Sequence, residues 1–417
     1  MRFISKKVAT LIMLVLLVGT QVGMAQTELT WFFCCHQSER NEMFNRWARE
    51  FESLNPGVTV NVMWPSDMNY YDKISVSIAG DMAPDVFWAG NTLWNYADLA
   101  MPLNDLYKSE PMINEITSTM IQGHLWKGNL IAVPFGVNAH VFFYNKDLFG
   151  TVGISMPKDW TWTEAISMGK KLTLDIDGDG RLDRWGLSFS DAFRHAITYG
   201  GNVYSEDLRK VMIDNPVTIA GVQLTADLVT GKLNAYLTGG SSTVAYAEFI
   251  NGKLGAPALG VFSTPGIRKD AQFDWDITMF PKLEVDKKFY RTSYFSPETW
   301  MIYKGTKHPD LAKKLLVFIM QKEKMGEFAQ QGAIIPTQPS VAIRWFLNVD
   351  KPASMRAFTD TLTYFKNSEQ QHPVGIQQGM FTIWNQMLTG KTPAATGIPE
   401  MARQMQIRVD EYWAKHN

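Results

Sequence analysis

Cysteine is nearly absent from this sequence: the 417 residues hold two, Cys34 and Cys35, and these are neighbours. Adjacent cysteines offer no spaced pair for a metal or redox site, and a bond between them closes a strained eight-membered ring, so both read as packing residues at a strand end. A surplus of charge is also missing. With 40 basic and 41 acidic side chains, the formal net charge is −1, too weak a field to hold nucleic acid or an anionic membrane surface. No run of Lys and Arg and no basic stripe interleaved with aromatics changes that. The sequence lacks G-x-S-x-G, H-E-x-x-H and any phosphate-cradling glycine loop, which removes the common signs of hydrolase and nucleotide chemistry. Internal repeats, low-complexity segments and flexible linkers are missing as well.

Long apolar runs are confined to the start. Arg2, Lys6 and Lys7 form a positive segment, residues 8–18 are almost wholly apolar, and Gly23-Met24-Ala25 supplies small residues. That run is shorter than the roughly 18 residues a membrane span needs. A buried first helix is the alternative, but nothing polar follows at helical spacing to make it amphipathic. Residues 1–25 therefore read as a cleaved signal peptide. Its removal takes away three positive charges and moves the net charge from −1 to −4. No Cys stands at the cleavage point, so no lipid anchor is expected, and the mature chain is placed in the periplasm or outside the cell.

What remains is too long for one ordinary core and suits two lobes. Residues 29–33 form a short apolar run. Ser38 opens a helix with Met43, Phe44, Trp47, Ala48, Phe51 and Leu54 at three- and four-residue spacing, stopped by Asn55-Pro56-Gly57. Residues 58–64 alternate as a strand, 72–79 form a short helix ending at Gly80, and 85–88 read as a third strand. This order implies an α/β fold with a mostly parallel sheet. Further on, 137–145 is strand-like, and Thr161 with Glu164 makes a capping box for a helix to about Leu172. More helices are expected at 216–230, 309–328, 352–365 and 399–413.

Several segments resemble, in order and spacing, the bacterial extracellular solute-binding proteins of the maltose-binding type (family 1). They are Gly80-Asp81-Met82-Ala83-Pro84-Asp85-Val86-Phe87-Trp88-Ala89, the stretch 130–139 followed by Phe143-Tyr144-Asn145-Lys146-Asp147-Leu148-Phe149, Met301-Ile302-Tyr303-Lys304-Gly305-Thr306-Lys307-His308-Pro309, and Gly332-Ala333-Ile334-Ile335-Pro336-Thr337. The resemblance implies a two-lobed periplasmic-binding-protein fold, each lobe a mostly parallel sheet with flanking helices, and three interlobe crossings near 134–138, 294–299 and 335–339. The lobes would be 26–137 plus 299–338 and 138–298 plus 339–417. It also implies capture of a sugar and delivery to the transmembrane subunits of an ATP-binding-cassette (ABC) importer, by a monomer with no catalysis, no nucleic-acid partner and no required cofactor.

Ligands of open parallel sheets lie beyond the carboxyl ends of the strands, where Trp88, Asn91 and His36 stand. Sugars need aromatic faces and hydrogen-bonding amides or carboxylates, and the chain holds 14 Trp and 14 Tyr. Trp88 aligns with the family's stacking tryptophan, against a core role. Asn91 and Asn138 stand where maltose-binding proteins have acidic contacts, and Thr92 stands where they have a base; these departures argue against maltose itself. Glu298 is a hydroxyl acceptor or a hinge ion-pair member, and Tyr199 and Trp384 are candidate lining aromatics. An acidic sugar could use Arg194, Arg268 or Arg291. A peptide, polyamine or anion ligand is the alternative, and a secreted carbohydrate enzyme, which would need two facing carboxylates, is a more distant one. Finally, Asp175, Asp177, Asp179, Arg181 (through its carbonyl) and Asp183 fall at positions 1, 3, 5, 7 and 9 of an EF-hand-like loop, with Gly180 at 6, so a structural calcium is a candidate. The twelfth position is Gly186 rather than the usual Glu. The other reading is an acidic surface turn.

Overall fold

The computed structural model describes residues 27–34, 38–64, 70–189, 192–233, 242–292, 294–364, 366, 372 and 378–416. The expected signal segment lies outside them. The chain divides into two compact units, one of residues up to Phe87 with Thr306–Phe318, the other of Trp88–Gly305 with Ile319–Asn417. This division cuts the chain at places other than the lobe boundaries that the resemblance implies.

In the first unit the strand Thr27–Phe32 pairs in parallel with Val58–Met63, Leu29 facing Val60 and Trp31 facing Val62, while Trp31 and Phe32 also face Val86 and Phe87. The helix Ser38–Leu54 covers the expected span. Met43, Phe44, Trp47, Ala48 and Phe51 are buried, but Leu54, the last residue of the stripe, is 62% exposed. The helix ends there because Asn55 turns its side chain back onto the Phe51 carbonyl (2.7 Å). Phe44 centres the packing, stacked on Trp31 at 4.9 Å and on Trp64 at 5.4 Å. Such aromatic pairs add about 0.5–1.5 kcal/mol beyond the area they bury. Cys34, buried at the end of the first strand, is disulfide-bonded. The expectation that the cysteines only pack is thus corrected, since burial at a strand end does not prevent oxidation.

The second unit is organised by the strand Val133–Asn145, longer than the expected 137–145 and buried along nearly all its length. It pairs antiparallel with Phe295–Ile302, Ile335–Pro336, Leu254–Gly260 and Trp275–Thr278, while Trp185–Ser188 runs parallel to its neighbour, Leu254–Gly260. The sheet is therefore mixed here rather than mostly parallel. Strand direction depends on how later chain returns, which periodicity does not record. The capping box forms as expected, with both reciprocal bonds between Thr161 and Glu164. Pro216–Thr230 has the expected bounds, capped by Asn215.

Three helices differ from expectation. The span 309–328 is split into Pro309–Ile319 and Lys322–Gln331, and the buried Gln338 side chain donates to the Met320 carbonyl at the break (3.1 Å). The span 352–365 shortens to Arg356–Thr361 with a 3-10 turn. The last helix is Ala394–His416, which carries Pro399 inside it at the loss of one backbone hydrogen bond.

A buried histidine gives the second unit a built-in acid sensitivity. His124 is 3% exposed, its Nδ1–H donates to the Met120 carbonyl (2.6 Å), and Nε2 has no partner among the described residues. Burial pushes its pKa down to about 4. Between pH 6.5 and 4 the unfolded chain takes up a proton that the folded chain refuses, so stability falls through that window, by at most roughly 3 kcal/mol. His372 is pushed down to about 4 by the same cause. Urea midpoints measured from pH 7 to 4.5 should fall less steeply in His124→Gln than in the parent chain. Identical slopes would remove His124 from the account.

Candidate functional site

The strand Phe295–Ile302 runs antiparallel to Val133–Asn145 with Ser296 facing Asn138 and Glu298 facing Gly136. Between Glu298 and Thr299 the register shifts, so that Thr299 faces Pro134. Proline has no N–H to give to the ladder, and a bulge is where a strand accommodates one. Bulges also re-aim side chains. Glu298 lies opposite a residue without a side chain, and Asn138 is its diagonal neighbour on the same face, within reach of a long carboxylate.

Asn138 does reach it: its Nδ2 donates to Glu298 Oε1, and the Trp88 indole N–H donates to Glu298 Oε2. Trp88 is held there by its own backbone. The Ala89 N–H donates to the Thr299 carbonyl (3.0 Å) and Thr299 Oγ1 to the Gly90 carbonyl (3.3 Å). Gly90 takes φ +53°, and a Cβ there would stand 2.4 Å from the Trp88 ring, so only glycine lets the chain turn so close. Trp88 and Glu298 are each 6% exposed. Asn138 Oδ1 is buried and has no partner among the described residues. Two neutral donors thus meet on one carboxylate, beside one amide oxygen left to accept. Acceptors of this kind can meet hydroxyl or N–H donors.

Trp88, Asn138 and Glu298 are thus brought together. His36 lies outside the described residues, and Asn91 belongs to the 3-10 segment Gly90–Leu99. Tyr199 and Trp384 go elsewhere, into a hydrophobic core cluster that does not contain Trp88. Tyr199 accepts from Trp162 Nε1 (2.6 Å), and its burial pushes the phenol pKa up. Trp384 packs edge-on against Phe193 (5.0 Å). Both are core residues, because a large aromatic gains more from enclosure than from an open face.

Sequence reasoning named Arg194 but missed the group it belongs to, on the same strand face. His140, two residues beyond Asn138, lies 5.7 Å from His195 and 6.0 Å from both Phe262 and Tyr294, and Arg194 lies 5.3 Å over the Tyr294 ring. The i, i+2 relation to Asn138 was the available signal. Of the other two arginines, Arg291 donates to the Phe280 carbonyl (2.7 Å) and to Asp159 (2.6 Å). Arg268 donates to the carbonyls of Lys351, Gln330 and Gln331.

In the acidic loop, Asp175, Asp177 and Asp183 bring carboxylate oxygens within 4.8 Å of one another. These oxygens already accept backbone N–H groups of the loop: Asp175 from Gly178 and Gly180, Asp183 from Ile176. Asp179 accepts from the Arg181 N–H (2.8 Å) and is not part of the converging trio. Hard oxygen donors at this spacing fit calcium, with fewer ligands than a full EF-hand.

Residues 37–326 match the family model described as bacterial extracellular solute-binding protein. A putative binding protein of Brucella abortus (strain 2308) is 23% identical over 358 residues, 78% of this chain and 80% of the relative. An arabinooligosaccharide-binding protein of Halalkalibacterium halodurans is 22% identical over 328 residues, 74% of this chain and 71% of the relative. The solved structure of an ABC substrate-binding protein from Listeria monocytogenes, in complex with cycloalternan, superposes with a TM-score of 0.77 at 20% identity, covering 93% of this chain and 99% of that one. That likeness establishes the two-lobed α/β fold of periplasmic binding proteins. No helix among the described residues is long and apolar enough to cross a membrane. With the family model matched over well more than half of its length, this chain belongs to the bacterial extracellular solute-binding proteins.

Proposed function

We propose that the protein captures a sugar or oligosaccharide outside the cytoplasm and hands it, chemically unchanged, to an ABC importer whose membrane and ATPase subunits are separate chains. The observation that carries this reading is the Glu298 carboxylate held by Trp88 and Asn138 at a strand bulge. The sugar ligands of the relatives and of the superposed structures support it. Arg268 and Arg291 are engaged by carbonyls and Asp159, which favours a neutral ligand over an acidic one. In this reading the lobes are 26–137 plus 299–338 and 138–298 plus 339–417. They close about the crossings as a monomer, because only a ligand touching both lobes stabilises the closed form. Export by a cleaved signal peptide, without a lipid anchor, and a structural calcium in the loop of Asp175, Asp177 and Asp183 complete the proposal.

A thermal-shift screen tests it. One saccharide class should raise the melting temperature by mass action, and calcium alone should raise it in the parent chain but not in Asp175→Asn/Asp183→Asn. Silence for every sugar with a response to a peptide or an anion would leave the fold and overturn the ligand. Turnover of a bound glycan would overturn the non-enzyme reading, and an equal calcium response in the variant would overturn the ion site.

A further inference from the structure

The second unit carries a concavity of about 770 Å³, within the range of roughly 300–1,000 Å³ typical of small-molecule sites. Trp88, Asn138 and Glu298 do not line it. Its walls are the stretch between Gly200 and Val217 and the hairpin of Leu283–Val285 with Lys288–Tyr290. The hairpin turns on Asp286 and Lys287, both at positive φ (+50° and +62°), as a two-residue turn of this twist requires, and Asp286 comes to the rim.

Two of the polar side chains in this wall are already engaged with the protein itself. Asn215 accepts from the Thr218 N–H (2.9 Å) as helix cap, and its Nδ2 donates to the Met212 carbonyl and to Thr218 Oγ1 (3.0 Å each). Ser205 Oγ donates to Asp207 (2.6 Å). The carboxylates are in the opposite condition: Glu206, Asp214 and Asp286 are exposed, have no partner among the described residues, and share the wall with no Lys or Arg. A saccharide presents acceptors as well as donors, and its oxygens gain nothing from three carboxylates unless its hydroxyls turn to them; an anion would be repelled. An ammonium group is a donor only. The helix N-terminus at Asn215 opposes a cation, and Asp214 beside it offsets that. The carboxylate trio that converges within 4.8 Å among the described residues is the one at Asp175, Asp177 and Asp183, so the three in this wall are too dispersed to share one metal ion. The same wall holds Val211, Val217, Val285 and Tyr290, which suit methylene spacers and a cation over an aromatic face.

We propose that this concavity is a second ligand site, for a linear aliphatic oligoamine, with its ammonium groups on Glu206, Asp214 and Asp286 and its methylenes on the valines and Tyr290. It does not depend on the sugar reading. Spermidine is the probe, titrated calorimetrically into the purified protein at low and moderate salt. Binding should be saturable, weaken with salt, and fall at least tenfold in Glu206→Gln/Asp214→Asn/Asp286→Asn. A matched variant outside the wall, Glu323→Gln/Asp360→Asn/Glu411→Gln, removes the same charge and should bind as the parent does. Circular dichroism checks that both variants are folded. No saturable heat at millimolar spermidine, or equal weakening in the two triple variants, overturns the site.

Discussion

Glu298→Ala is expected to lower both the stability of the protein and its affinity for ligand. The substitution leaves the Trp88 indole N–H and the Asn138 amide N–H without their acceptor. A buried donor left unpaired costs about 1–3 kcal/mol. Trp88, at 6% exposure, should pay toward the upper end, whereas the partly buried Asn138 can recruit water. The loss of orientation should weaken binding of the saccharide found by screening at least tenfold, or about 1.4 kcal/mol. Glu298→Gln keeps the volume but turns one amide N–H toward a donor, and an intermediate result is expected. Urea denaturation and calorimetric titration of the same preparations separate two roles. Lower stability with unchanged affinity would make Glu298 a structural latch and remove it from the ligand site.

Gly186→Ala is the second large effect, and here the cost is steric. A Cβ at this position would stand 2.1 Å from the Gly169 carbonyl oxygen and 2.5 Å from its Cα. Those are backbone atoms of the helix Trp162–Leu172, and they cannot rotate aside as a side chain does. Overpacking ordinarily costs about 1–3 kcal/mol, and more where the neighbour cannot move. A loss on the order of 3 kcal/mol or greater, or failure to fold, is expected in urea denaturation. Gly178→Ala is the contrast, since it has φ +77° but no atom within 4 Å of the added carbon, and it should cost only the roughly 1–2 kcal/mol of left-handed backbone. Equal stability of the two variants would refute the close helix–strand approach. The same contact explains the missing twelfth ligand of the acidic loop: Gly186 has no room for a glutamate.

How much of this was legible in the sequence depends on the range of the interactions involved. The helix Ser38–Leu54, the capping box at Thr161 and Glu164 and the bounds of Pro216–Thr230 follow from local rules. Spacing of apolar residues, an oxygen that reaches an N–H three residues on, and a proline in a first turn need nothing from the rest of the chain. The family was legible from ordered segments, and with it Trp88, Asn138 and Glu298 as separate candidates. Their meeting on one carboxylate was not legible, because it depends on an antiparallel register between strands 160 residues apart in sequence and on a bulge opposite Pro134. Tyr199 and Trp384 show the same limit. Residue type marks a large aromatic as valuable to a ligand and to a core alike, and only the packing around Phe193 and Trp162 assigns these two to the core. By itself, then, the sequence determined the local elements, the balance of charge and the family. The tertiary structure decided which polar groups share a buried space and which glycines bear a neighbouring backbone, because those depend on distances that only the folded chain closes.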